Sequence, residues 1–231
     1  MDEAEFDRHA SNYQDLHRVN VALTGEDPKD LSDYKMRDFA EIVRRVGIKD
    51  APVCLDFGCG IGASIQPFQK YLPGAKLLAA DVSGESLALA KKTHGDAAQF
   101  VEIVAGRLPL EARTVDAAFA CCVFHHIPPE HQTPALEELR RVLKPGAPLM
   151  IYEHNPLNPL TVRAVRTCPF DENAILIRAG NMRRLVRSAG FERVHHSYRL
   201  FFPAMLARLR PAEAALKWLP LGAQYFVTAR A

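Results

Sequence analysis

The side chains best suited to hold a ligand surround a short glycine-rich stretch. An apolar run ends at Asp56, and three glycines follow at alternate positions: Gly58, Gly60 and Gly62. Glycine has no Cβ, so such a loop can take positive φ angles and let a ligand lie against the main chain. A second carboxylate, Asp81, ends the next apolar run. An aspartate at that place can accept hydrogen bonds from the hydroxyls of a ribose.

Asp56 separates two classes of ligand that such a loop binds. Gly58-x-Gly60-x-x-Ala63 satisfies the dinucleotide pattern, so an NAD-linked oxidoreductase is one alternative. A carboxylate two residues before the first glycine would repel a pyrophosphate, whereas it can accept hydrogen bonds from an ammonium group. The residues therefore favour a ligand with an amino-acid group at one end and a ribose at the other.

The string Leu55-Asp56-x-Gly58-x-Gly60-x-Gly62, followed by Ala80-Asp81-Val82-Ser83, resembles the class I S-adenosylmethionine-dependent methyltransferases of the small-molecule type. The resemblance covers about residues 50–153 and implies S-adenosyl-L-methionine as cofactor and S-adenosyl-L-homocysteine as product. It implies cofactor contacts at these positions: Asp56, Gly58, Cys59, Gly60, Gly62, Asp81, Val82, Gly106, Arg107, Leu108 and Cys122. Many members carry an aspartate where this chain has Val104, so we expect main-chain groups near Gly106 to recognise adenine.

The segment before the first core strand is predicted to be helical. Phe6-Asp7-x-x-Ala10-x-x-Tyr13 is similar to the opening of many small-molecule methyltransferases, where that segment closes over cofactor and substrate. The resemblance implies a lid in which Tyr13 contacts the cofactor, and Lys35 could neutralise the methionine carboxylate. The alternative is a packing helix with a core tyrosine.

The remaining pattern predicts an α/β fold with a doubly wound, mostly parallel, seven-stranded Rossmann-like sheet. Strands are expected near 76–80, 100–104, 115–122 and 148–153, and two late strands near 191–200 and 224–229 predict an antiparallel C-terminal hairpin. We interpret the chain as one domain in four parts. These are an N-terminal helical lid (1–50), a cofactor-binding core (51–153), a substrate-specificity insert (154–180), and a C-terminal helix with strands (181–231).

Four side chains that can move a proton follow the fourth and fifth predicted strands: His125, His126, Glu153 and His154. The carboxyl ends of parallel strands meet at one edge of the sheet, so we expect them beside the glycine loop. Methyl transfer is a direct displacement that needs positioning, exclusion of water and, for some acceptors, a base. These four residues are the candidate bases. A metal held by them is conceivable, but the sequence predicts none.

The insert carries the residues that could hold an acceptor, namely Asn155, Arg163 and Arg166. Arginines three positions apart share a face of a helical turn, and paired guanidinium groups suit phosphate or carboxylate. We therefore expect a small anionic acceptor that is methylated on oxygen. The alternative is that both arginines are solvated surface residues without a binding role.

A second hypothesis for the acceptor depends on the basic C-terminal segment as a whole. Residues 160–231 carry 12 basic and 4 acidic side chains. Together with Phe201, Phe202, Met205 and Leu206, this segment could approach an anionic membrane that holds a lipid-linked substrate.

The amino-acid composition and the N-terminal sequence indicate the class of protein and its location. With 48% hydrophobic and 24% charged residues, the chain is typical of a globular protein, and its acidic N-terminus is unlike a signal peptide. We expect a cytoplasmic protein without a transmembrane segment.

Five cysteines without a C-x-x-C pair argue against a disulfide framework and against a zinc site. Nucleic acid is not an expected partner, the oligomeric state stays open, and a non-catalytic S-adenosylmethionine-binding module is the third functional alternative.

Overall fold

The computed structural model describes residues 28–48, 51–168 and 171–231. The predicted contact of Tyr13, and most of the predicted lid, lie outside these residues. The strands are β1 Val53–Phe57, β2 Lys76–Asp81, β3 Gln99–Glu102, β4 Ala117–Cys121, β5 Pro148–His154, β6 Glu192–Arg199 and β7 Gln224–Arg230. The helices are α1 Pro28–Val46, α2 Ile65–Tyr71, α3 Gly84–His94, α4 Pro129–Val142, α5 Pro159–Arg166, α6 Ala179–Ser188 and α7 Glu213–Leu216.

The seven strands form one sheet in the order β3-β2-β1-β4-β5-β7-β6. The first five strands are parallel, whereas β7 runs antiparallel between β5 and β6. The predicted mostly parallel, seven-stranded sheet with a C-terminal hairpin is thus confirmed. Because β1 has β2 on one side and β4 on the other, the chain reverses its winding there, which is where such sheets bind ligands.

Helices cover both faces of the sheet, which explains the near-continuous apolar character of the central strands. Leu55 and Phe57 of β1 pack into one core cluster with residues of α4 and α6. Cys54 and Phe119 pack into the other, together with residues of α1 and α2. The strands are therefore held rigidly, and the loops at their carboxyl ends are the parts free to shape a site.

A buried polar network fastens α1 to the C-terminal strands. Asp38 of α1 accepts a hydrogen bond from the Tyr152 hydroxyl at 3.0 Å and pairs with Arg199 of β6 at 2.5 Å. The hydroxyl of Tyr34 donates to Glu213 of α7. Because breaking a buried, hydrogen-bonded ion pair is costly, α1 has a fixed position over the sheet.

The end of the third strand differs from the sequence prediction. The third strand was expected to reach Val104 but ends at Glu102, because Val104 and Arg107 exchange main-chain hydrogen bonds across a tight turn. Ala105 and Gly106 in that turn have φ of +48° and +74°. Among the described helices, none combines the length and apolar character needed to span a bilayer.

Candidate active site

The glycine loop after β1 is built against the end of β2. The N–H groups of Gly58 and Cys59 both donate to the carbonyl of Ala80, at 2.8 and 3.0 Å. A Cβ on Gly58 would lie 2.5 Å from a Val123 methyl, and one on Gly62 would lie 2.7 Å from Ile65. Packing therefore requires these two glycines. A Cβ on Gly60, whose φ is +52°, would meet no described atom within 4 Å, so the main chain there faces open space.

Asp81 and Gly60 are brought together as predicted. Asp81 accepts hydrogen bonds from the N–H of Gly60 at 2.7 Å and from the N–H of Ser83 at 3.0 Å. Ser83 caps α3 by accepting from the N–H of Ser86 at 3.0 Å. The Asp81 carboxylate thus links the glycine loop to the start of α3 and lies beside the open space at Gly60.

Asp56 supplies a buried negative charge below the loop. Its side chain is 2% exposed and accepts a hydrogen bond from the Ser64 hydroxyl. Burial raises the pKa of Asp56 to about 7, and the charge of Asp81 acts in the same direction. A ligand ammonium would stabilise the ionised carboxylate. The two carboxylates and the open main chain at Gly60 therefore fit the amino-acid and ribose ends of S-adenosylmethionine.

Lys35 reaches the same edge from α1. Its Nζ lies 3.3 Å from the Sγ of Cys122, which follows β4 and has φ of +60°. Burial opposes ionisation of Cys122, but the Lys35 ammonium and His154 lower the pKa of its thiol to about 6. Burial raises the pKa of the neighbouring Cys121 well above its ordinary value. The predicted contact of Lys35 with a methionine carboxylate stays a prediction.

The residues predicted to surround adenine differ in their hydrogen bonds and in their exposure. The N–H of Leu108 donates to Glu138 at 2.8 Å, and the exposed Arg107 side chain lies 3.6 Å from the same carboxylate. The turn at Gly106 presents Val104, which is 61% exposed. Because the N–H of Leu108 is already paired, the turn itself offers the better main-chain contact. Val82 packs partly buried against the core, and Cys59 is buried beside Ala79 and Leu87.

Glu153 organises the loop after β4. It is fully buried, and its Oε1 accepts from the N–H groups of Val123 and Phe124 at 3.1 and 2.8 Å. Its Oε2 lies 2.5 Å from Nδ1 of His125. A carboxylate with three such partners holds its surroundings in place, so its position favours an orienting role over that of a freely accessible base.

The four predicted proton-moving residues do gather at one place, with one further carboxylate. The Nε2 atoms of His125 and His126 lie 3.4 and 3.3 Å from Oδ1 of Asp171, and the His154 ring lies 5.2 Å from that of His125. Burial alone would lower the pKa of His125, but the Glu153 carboxylate raises it to about 10. Burial also lowers the pKa of His126. Burial opposes ionisation of Asp171, but both histidines hold its pKa below the usual range.

Asp171 is the residue that sequence reasoning missed. It belongs to the stretch Cys168-Pro169-Phe170-Asp171 of the insert, in which no motif indicated a partner for the histidines. The N–H of Ile175 donates to the carbonyl of His125 at 2.8 Å, so the main chain of the insert is also held there. Only the folded chain brings the insert to the loop after β4.

The remaining insert residues separate into an internal and an exposed group. Asn155 is buried and donates to the carbonyls of Pro220 and Gly222, while its own oxygen accepts from Leu157. These bonds show a role in the loop, and its substrate contact stays a prediction. Arg163 and Arg166 are exposed on α5 and line one surface groove of about 520 Å³.

Comparison with known proteins places this site in a family. Residues 54–146 match the family described as "Methyltransferase domain". Trans-aconitate 2-methyltransferase of Azoarcus sp. (strain BH72) is 30% identical over 138 residues, which cover 60% of this chain and 53% of that protein. The matched part spans between about a third and about half of the length of the curated relatives.

Two solved structures share the fold. A SAM-dependent methyltransferase from Thermotoga maritima has a TM-score of 0.64 at 18% identity, with 98% of each chain covered. Phosphoethanolamine N-methyltransferase 2 of Haemonchus contortus, solved with phosphomonomethylethanolamine and S-adenosylhomocysteine, has a TM-score of 0.59 at 17% identity. The match covers 82% of this chain and 51% of that one. At these identities the likeness shows the fold alone. The matched methyltransferase domain and the glycine loop between Asp56 and Asp81 support a class I S-adenosylmethionine-dependent methyltransferase.

Proposed function

We propose that this chain transfers the methyl group of S-adenosylmethionine to a small anionic acceptor at the carboxyl edge of the sheet. The observation that carries the proposal is the open main chain at Gly60 between two buried carboxylates, Asp56 and Asp81. When bound, the cofactor supplies an activated methyl group on a sulfonium. Asp56 would hold its ammonium group, and Asp81 would accept hydrogen bonds from its ribose hydroxyls.

The acceptor would lie against the histidines that follow β4 and end β5. His126 and His154 reach partial exposure, so they are the ones proposed to touch it. His125 and Glu153 are buried, so they would position His126 and His154 without touching the acceptor. Positioning and exclusion of water supply much of the barrier reduction in a direct displacement, so rigidly held histidines suit the reaction.

An anionic acceptor is supported by the two exposed arginines on α5. Arg163 and Arg166 share a groove with Leu157 and Val162, which would let a molecule with a charged end and an apolar body lie along it. Trans-aconitate, the substrate in the name of one relative, is a small carboxylate anion. We propose that residues 154–180 act as the specificity insert, and that an oxygen of the acceptor is methylated.

A lipid-linked acceptor is the second candidate, because apolar side chains stand exposed after β6. Met205 is 87% exposed and Trp218 74% exposed, and the exposed Arg208 lies between them in the chain. Exposed aromatic and basic groups together suit the surface of an anionic membrane. The test is sedimentation with vesicles of phosphatidylserine and phosphatidylcholine, with Trp218→Ser and Met205→Ser as the variants. Binding that these substitutions abolish would favour a membrane source for the acceptor.

The experiment on the main proposal has two arms. Calorimetry should show binding of S-adenosylmethionine and S-adenosylhomocysteine but not of NAD⁺. Protein with tritium-labelled cofactor should then label a molecule in a panel of small carboxylates and phosphate monoesters. Binding of NAD⁺ alone would overturn the family cofactor for this chain. Cofactor binding with no label transferred, either to the panel or to a small-molecule cell extract, would favour a binding module.

Arg163→Ala/Arg166→Ala tests the acceptor groove once a labelled product is known. The double variant should raise the KM for the acceptor with unchanged cofactor affinity. Arg184→Ala/Arg187→Ala is the matched control, because these two arginines are also three apart and exposed, on α6. Equal KM values for both double variants would show that the α5 arginines are only solvated surface residues.

A further inference from the structure

Three potential metal-binding atoms converge where the insert meets the loop after β4. His125, His126 and Asp171 each offer one ligand atom within 4.8 Å of the other two, and Nε2 of the two histidines lies 3.4 and 3.3 Å from Oδ1 of Asp171. His125 is 1% exposed, while His126 and Asp171 have side chains 10% and 11% exposed. The cluster is therefore mostly buried but open on one side.

The hydrogen bond from His125 to Glu153 fixes which ring nitrogen is free. Glu153 Oε1 is already occupied by two main-chain N–H groups, and Oε2 faces Nδ1 of His125 at 2.5 Å. Nδ1 therefore carries a proton and donates it, so Nε2 is the ring nitrogen left to face Asp171. A carboxylate behind the outer nitrogen is the arrangement that orients metal-bound histidines.

The inner nitrogen of His125 faces the Asp171 carboxylate. Its Nε2 is buried and makes no hydrogen bond with any described residue, although Oδ1 of Asp171 is only 3.4 Å away. Because Glu153 lies at the other end of the ring, two carboxylates act on one imidazole, and a cation at Nε2, either a proton or a metal ion, stabilises the three groups together.

The spacing fits a metal ion. Ligand atoms at about 2.0–2.1 Å from a tetrahedral zinc ion are about 3.3 Å apart. The two measured separations from Asp171 Oδ1 are 3.4 and 3.3 Å. Two imidazoles and one carboxylate with an open position are typical of catalytic zinc and of non-haem iron(II) sites.

We propose that His125, His126 and Asp171 form a binding site for one divalent transition-metal ion of the zinc or iron(II) class, with Glu153 orienting His125. The sequence had suggested His125, His126, Glu153 and His154 as a conceivable ligand set and predicted no metal. In the structure Asp171 takes the ligand position, and Glu153 lies behind the ring. The site stands independently of methyl transfer. If the proposed function also holds, the ion would lower the pKa of an acceptor hydroxyl bound at its open position.

The test uses the full-length protein after treatment with a chelator. Cobalt(II) is the probe, because tetrahedral and octahedral cobalt differ in their visible absorption, and elemental analysis with zinc gives the stoichiometry. We expect one ion per chain. His126→Gln should abolish most of the affinity, and Glu153→Gln, which removes no ligand, should lower it by about 10- to 100-fold. His131→Gln is the matched control, since His131 is exposed on α4 nearby in the chain.

Two results would overturn the proposal. Wild-type protein that binds cobalt no better than the His126→Gln variant would show that protons, and not a metal, satisfy the cluster. A cobalt spectrum with thiolate charge-transfer bands that Cys122→Ser removes would place the ion at the cysteine instead. Circular dichroism of each variant checks folding. Asp171→Asn, which removes the carboxylate ligand, should also lose cobalt affinity. If that variant is unfolded, the cobalt affinity of His126→Gln still tests the proposal.

Discussion

The ammonium group of Lys35 lies 3.3 Å from the sulfur of Cys122, and this contact joins α1 to the carboxyl end of β4. It makes two neighbouring cysteines chemically different. The thiol of Cys122 has a pKa of about 6, whereas burial raises that of Cys121 well above 9.0. Cys122 is therefore mostly a thiolate at neutral pH, and Cys121 is a thiol.

This difference predicts selective alkylation. Iodoacetamide should modify Cys122 and spare Cys121 at pH 7, with a rate that rises through a midpoint near pH 6, because only the thiolate reacts. Lys35→Met should move that midpoint upward, toward the ordinary value of 9.0. Peptide mapping of the alkylated sites gives the answer, and Lys70→Met, at an exposed lysine on α2, is the control. Equal modification of the two cysteines would contradict the assignment.

Asp81→Asn should weaken S-adenosylmethionine binding by about 10- to 100-fold, since hydrogen bonds to a charged group contribute about 1.5–3 kcal/mol. The substitution keeps the size of the side chain but removes the carboxylate beside Gly60. Asp116→Asn is a suitable control, because Asp116 also accepts a main-chain N–H, that of Val53 at 2.9 Å, at the opposite edge of the sheet. Unchanged calorimetric affinity in folded Asp81→Asn would remove the ribose role from this residue.

Gly60→Ala should abolish cofactor binding and leave the protein folded. The added methyl group meets no described atom, so the variant bears only the strain of φ +52°, about 1 kcal/mol. Gly47→Ala is closely matched, since Gly47 has φ +74° and the same open surroundings but follows α1. Both variants should lose a similar amount of thermal stability. Retained affinity in Gly60→Ala would mean that the ligand does not pass over this loop.

Asp56 predicts a pH dependence of cofactor affinity. The free protein has a pKa of about 7 there, and a bound ammonium favours the ionised form, so affinity should fall up to about tenfold per pH unit below 7. Asp56→Asn should bind weakly at every pH. Calorimetry between pH 5 and pH 8 measures this, and a flat profile for the wild type would count against the role of Asp56.

The same carboxylate has the opposite effect on folding. A carboxyl group whose pKa is raised in the folded state from 3.8 to about 7 destabilises the free protein as the pH rises through that window. Asp56→Asn should therefore raise the melting temperature at pH 8 relative to wild type, and the gain should vanish near pH 4. A variant that is less stable at pH 8 would show that the Ser64 hydrogen bond dominates.

The core of this protein could be predicted from local sequence patterns, because the cofactor loop and each buried strand consist of residues that are adjacent in the sequence. Asp56, the glycines and Asp81 lie in consecutive elements, so spacing alone indicated their meeting. Asp171 could not be found in this way, since it meets His125 only after the insert crosses the sheet edge. The buried position of Glu153 likewise depends on how β5 lies beside the turn after β4, and a strand-end glutamate looks the same in sequence whether it is a base or a support.

The antiparallel strand β7 also bears on how the chain is made. Residues 224–230 pair with β5 on one side and with β6 on the other. During synthesis, β5 and β6 therefore emerge from the ribosome before the strand that joins them, and each presents an unpaired edge in the meantime. Such edges are sites of wrong pairing and aggregation. Sheet completion must wait for residue 230, so a stalled or shortened nascent chain should depend on chaperones even though its cofactor loop is already synthesised.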